Sequence, residues 1–180
     1  MRNSRKIILL SALILLVLCF TGCEKGSEDY FSYRSGSFVA RLEGNQFGTE
    51  ISCDIYCENG SLSKMVYHTP NAMEGITILF SENGGGTVEK DGITMDFSAD
   101  SHTFGGWLAP AKRLLLEGAD RSSVRSVQKL TSGYLLTLNL PEESDPVTVT
   151  LGENGFPTVL SGSDFSFRVE LIDLESAPKT

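Results

Sequence analysis

Between Phe38 and Leu171 the chain alternates apolar and polar residues with a period of two, and Asn-Gly and Asp-Gly dipeptides cut that alternation into short runs. A period of two belongs to strands with one face buried. Phe38, Ala40 and Leu42 alternate with Val39, Arg41 and Glu43 up to a break at Gly44-Asn45. A second run, Phe47–Glu58, ends at Asn59-Gly60, Leu62–His68 ends at Pro70-Asn71, and Ile76–Phe80 ends at Asn83-Gly84. Thr87–Glu89 turns at Asp91-Gly92 into Ile93–Phe97. Val124–Leu130, Tyr134–Leu140, Val147–Leu151, Thr158–Leu160 and Phe165–Leu171 follow, with turns at Ser132-Gly133 and Asn154-Gly155. Asn-Gly and Asp-Gly supply the positive φ angles of two-residue hairpins, so the sequence predicts an antiparallel meander of about ten strands.

One segment departs from this period. Trp107, Leu108, Ala111, Leu114 and Leu115 fall on one stripe of a helix. Pro110 is tolerated only in a first turn, which places the helix start between Gly106 and Ala109 and its stop at Gly118. A single amphipathic helix beside a large sheet covers one face of it. The predicted class is mainly β with minor α.

The start of the chain reads as a processing signal. Arg2, Arg5 and Lys6 precede an apolar run from Ile7 to Phe20, and Thr21-Gly22-Cys23 follows. The run is short for a membrane span, and small residues stand at the cut. An uncleaved anchor is the alternative. Cys23 after Thr-Gly resembles the acylation site of a bacterial lipoprotein signal, whereas Cys19 follows the bulky Leu18. The expected division is a signal over 1–22, an acylated tether over 23–35, one β domain over 36–175 and a tail over 176–180. Removing the signal takes three basic residues and leaves 158 residues with a net charge of −11. Such a chain is repelled by nucleic acid and anionic headgroups, which excludes a nucleic-acid partner and leaves the lipid as the membrane contact. The polar stretch 24–35 would reach about 20 Å as a flexible coil.

Cys53 and Cys57 share a parity with Ile51 and Ile55, opposite Ser52, Asp54 and Glu58. On a strand they stand about 13 Å apart, beyond disulfide reach, and read as small core residues. A disulfide or a metal pair would need a turn between them.

With these elements in order, Tyr67-His68-Thr69-Pro70-Asn71-Ala72-Met73-Glu74-Gly75-Ile76 and Val149-Thr150-Leu151-Gly152-Glu153-Asn154-Gly155-Phe156-Pro157 resemble the LolA/LolB-like family of bacterial envelope proteins, and the small Gram-positive lipoproteins of that fold in particular. The resemblance implies a strongly curved, unclosed half-barrel covered by one or two helices. It also implies an apolar cavity for acylated polypeptides, while the signal at Cys23 places the expected domain on the extracytoplasmic face of the bacterial cell membrane.

Catalytic patterns are thin. His68 lies at a strand end, and His102 shares its loop region with Asp96, Asp100 and Ser101 without a second histidine at ligand spacing. Ser61–Lys64 and Ser126–Lys129 are Ser-x-x-Lys matches on strands, where residues three apart face opposite ways. Gly84-Gly85-Gly86 sits in a hairpin with no helix after it, unlike a phosphate loop. No cofactor is expected. The candidate ligand-binding residues are apolar: Phe47, Ile51, Ile55, Leu138, Phe165 and Phe167 from the strands, with Trp107 and Leu108 from the helix. The expected function is that of a non-catalytic, membrane-anchored lipoprotein that binds a lipid or lipopeptide. Its alternative is a protein-interaction or sensor domain with a filled core, docking another envelope protein.

Overall fold

The structure, a computed structural model, describes residues 29–81, 85–98, 109–116, 120–140 and 143–175. Cys23, Asp100, His102, Trp107 and Leu108 lie outside the described residues. Eleven strands form one antiparallel sheet. They are β1 (Ser37–Gln46), β2 (Thr49–Glu58), β3 (Ser61–Thr69), β4 (Thr77–Phe80), β5 (Gly86–Lys90) and β6 (Ile93–Phe97), then β7 (Val124–Leu130), β8 (Gly133–Leu138), β9 (Val147–Leu151), β10 (Pro157–Ser161) and β11 (Phe165–Glu175). The helix α1 (Ala109–Leu115) lies between β6 and β7 in the chain.

The spatial order is β6-β5-β4-β3-β2-β1-β11-β10-β9-β8-β7. Two meanders therefore meet at the β1–β11 pair, and among the described residues β6 and β7 are the outermost strands of the sheet. The expected class, an unclosed antiparallel sheet with minor helix, is what is found. Inward side chains from both meanders join those of α1 in one apolar cluster, so the sheet wraps around the helix.

Asn59-Gly60 and Asp91-Gly92 take positive φ at both residues, as two-residue hairpins demand. The break expected at Gly44-Asn45 is not a turn. β1 runs on to Gln46 and turns at Phe47-Gly48, with φ of 50° and 79°. Gly44 faces Phe167 across β1–β11, and a Cβ there would come within 1.9 Å of the Ser166 carbonyl oxygen. Close strand approach, not turning, is why residue 44 is glycine. Asn154-Gly155 closes a wider loop, in which the Gly155 amide donates to the Gly152 carbonyl and the Phe156 amide to Asn154 Oδ1. β8 stops at Leu138 rather than Leu140, although Leu140 stays buried.

Two rows of residues cross the inner face, buried through their middle and exposed at Val127 and Met95. One runs Val127–Leu136–Val149–Leu160–Phe167–Gly44–Ile51 across seven strands. The other runs Leu171–Ala40–Ile55–Met65–Ile78–Val88–Met95 from β11 to β6. Cys53 and Cys57 are free and buried on the same inner face.

The stretch 29–35, assigned above to the end of the tether, packs onto the domain. Tyr33 is buried, with its ring edge-on to Phe156, and Phe156 meets Phe38 in the same way. Tyr30 closes on Tyr134.

Candidate ligand-binding site

The helix α1 is the lid of the inner face. Ala111, Leu114, Leu115 and Leu116 are buried against the sheet. Pro110 occupies the second helical position, where its missing N–H costs no bond. The last carbonyls of a helix lack partners of their own. Here the residues just before β1 supply them. The Tyr33 hydroxyl donates to the Leu114 carbonyl at 2.9 Å, and Arg34 Nη2 donates to the carbonyls of Leu114 and of Arg113, the latter at 3.3 Å. Burial raises the Tyr33 hydroxyl above its ordinary range, against the lowering pull of the Arg34 charge. Arg113 in turn reaches Glu143 at 3.5 Å.

Between lid and sheet lies a cavity of about 20 Å³. Leu42, Ile55, Leu62 and Met65 form its floor, and Ala111, Lys112, Leu115 and Leu116 its roof. That volume admits about one water-sized sphere, whereas pockets for drug-sized ligands run to about 300–1,000 Å³. With the lid seated, the interior around this cavity is packed.

Of the residues expected to bind a ligand, Ile55 lines this cavity. Ile51, Leu138, Phe165 and Phe167 are buried in the sheet core, with the Phe165 and Phe167 rings stacked 6.1 Å apart. The interior place assigned to Phe47 is corrected: it stands in the β1–β2 turn, 73% exposed, because positive φ at 47 and 48 interrupts the alternation before β2 begins. Leu42, Leu62, Met65 and Leu116 were missed as lining residues. For Leu42 and Met65 the signal was their strand parity; nothing local distinguished Leu62 or Leu116.

Near the β1–β2 turn a polar side chain, Gln46, lies on the inner face. It is 2% exposed, and among the described residues neither its amide oxygen nor its amide nitrogen has a hydrogen-bond partner.

The outer face carries a charge cluster that sequence reasoning also missed. Asp54 accepts a bidentate pair from Arg41, Nε at 2.7 Å and Nη2 at 3.0 Å, and sits 2.9 Å from His68 Nε2. The three residues span β1, β2 and β3 on one face. The Arg41 fork, aided by His68, holds the Asp54 carboxyl below the usual carboxylate range while desolvation opposes it. Asp96 accepts from the Thr87 hydroxyl. Among the described residues, no group of three or more His, Cys, Asp or Glu side chains is placed to hold a metal.

No family model matches the chain, and no curated protein matches it. Among solved structures, the crystal structure of LolA superfamily protein NE2245 from Nitrosomonas europaea matches 84% of this chain and 93% of its own, with a TM-score of 0.38 and 9% identity. The architecture stands on the strand pairing itself.

Proposed function

We propose that this protein is a non-catalytic envelope lipoprotein, anchored through Cys23, that takes an apolar chain of a lipid or lipopeptide onto the inner face of its half-barrel. The observation that carries the reading is the make-up of the cover. Among the described residues, one seven-residue helix and not a second sheet shields an apolar floor. The helix also ends on carbonyls bonded by the segment that follows the acylation site. Lifting α1 would bare Leu42, Ile55, Leu62 and Met65 and convert a one-water cavity into an apolar trough. The charge of −11 on the mature chain keeps the domain off anionic headgroups.

Two experiments test it. Cys23→Ala should abolish acylation and membrane retention, and a variant that is still retained would end the lipoprotein reading. Residues 24–180, examined by native mass spectrometry and by displacement of a fluorescent fatty acid, should carry lipid or take up the probe saturably. The small volume of the cavity favours a second reading, a packed interaction domain, and a bare mass with no uptake would select it.

A further inference from the structure

The two strands that are outermost among the described residues, β6 and β7, are not alike. β7 is defended against strand pairing: its register is broken by a bulge between Val124 and Ser126, and Arg125 and Lys129 stand along it. Bulges and edge cations are the usual means of blocking edge-to-edge association. β6 has none of these. Its register with β5 is unbroken from Lys90↔Ile93 to Gly86↔Phe97, and its sequence is Ile-Thr-Met-Asp-Phe, without Lys, Arg, Pro or Gly. The inner-face row ends on this strand. Ala40, Ile55, Met65, Ile78 and Val88 are all buried, but Met95 is 54% exposed and its neighbour Ile93 is 74% exposed.

We propose that β6 is a self-association edge, at which a second copy of this chain pairs antiparallel across a two-fold axis through Met95. The pattern of the strand selects that occupant. With Met95 opposite itself, Ile93 falls opposite Phe97 of the second copy on the inner face, and Thr94 falls opposite Asp96 on the outer face. No like charges meet. The Thr–Asp pair repeats one already formed within the chain, where Thr87 donates to Asp96 across β5–β6. Both inner faces then run on without a break, from Val88 through the two Met95 side chains to Val88 of the second copy. Isologous pairing of this kind closes on itself and stops at two subunits. An edge of five residues is small beside standard interfaces, so the dimer is a weak one, favoured where chains share a surface.

The test is disulfide trapping of the full-length chain in intact cell membranes. Met95→Cys should give a dimer band several-fold stronger than Ile172→Cys, an exposed position on the central strand β11. The wild type, which carries the same Cys19, Cys23, Cys53 and Cys57, sets the background. Equal yields from the two variants, or a stronger band from Val127→Cys on the opposite edge, would overturn the proposal. As a check that needs no new thiol, the wild type should sediment increasingly as a dimer with rising concentration, while Met95→Lys, which sets two ammonium groups face to face, stays monomeric. A wild type that remains monomeric throughout would also overturn it.

Discussion

At the scale of the residue, Asp54 shows how the outer face is tied. Its carboxylate is nearly enclosed between Arg41 and His68, and it links three strands that the inner face already binds by apolar contact. Its pKa is lowered in the fold, mainly by the Arg41 fork. A depressed carboxylate contributes stability above its unfolded value of about 3.9 and loses it as pH falls through the folded value. Asp54→Asn should therefore lower stability by about 1–3 kcal/mol near neutrality. On acidification below about pH 4 it should lose less further stability than the wild type does. Urea midpoints at neutral and acid pH measure both effects, and parallel pH dependences in the two proteins would show that the pair contributes nothing. The parity of Asp54 was legible in the sequence, but its partners were not. Arg41 and His68 lie 13 and 14 residues away, and only the register of β1, β2 and β3 brings them together.

Among the elements, the strands were legible and the strap was not. Period-two alternation and the turns at Asn59-Gly60 and Asp91-Gly92 are local signals, and the strands they delimit match within a residue or two. The helix announced itself by the Ala111, Leu114 and Leu115 stripe, and Ala109 falls where Pro110 required the start. Gly44 misled because a glycine needed for close strand approach looks the same as one needed for a turn. Tyr30 to Ser35 has no period at all, and its hydrogen-bonded partners lie about 80 residues further along the chain. No window on the sequence could join them. The strap nonetheless secures the lid. Removing both donors, with Tyr33→Phe and Arg34→Ala, takes away hydrogen bonds worth about 1 kcal/mol each. Amide exchange at Leu116, whose N–H closes on the Lys112 carbonyl, should speed up about tenfold or more while β1–β2 amides hardly change. Equal acceleration in helix and sheet would mean that the strap supports the whole fold rather than the lid.

For the whole molecule, the question is whether the lid opens without the sheet. Cys53 and Cys57 flank Ile55 on the inner face of β2, and Ile55 lines the cavity under α1, so the two thiols report on that opening. Burial pushes the Cys53 thiol up to about 12 and the Cys57 thiol up to about 11. Almost no thiolate exists at neutral pH while the fold is closed, so alkylation must wait for an opening. In residues 24–180 these are the two thiols present. Two routes reach them. Global unfolding exposes the full buried surface and gives labelling a steep dependence on urea, because that dependence scales with the area exposed. Lifting α1 exposes only the floor of the cavity and gives a shallow one. The lipid-binding reading requires the second route. Labelling of at least one of the two cysteines should have a shallow urea dependence in the wild type, be faster in the Tyr33→Phe, Arg34→Ala double variant, and slow when a fatty acid occupies the trough. Labelling that follows global unfolding at both thiols, unmoved by the strap variant, would mean that the helix is a permanent part of the core, and the function would then lie on the outer face and the open edges.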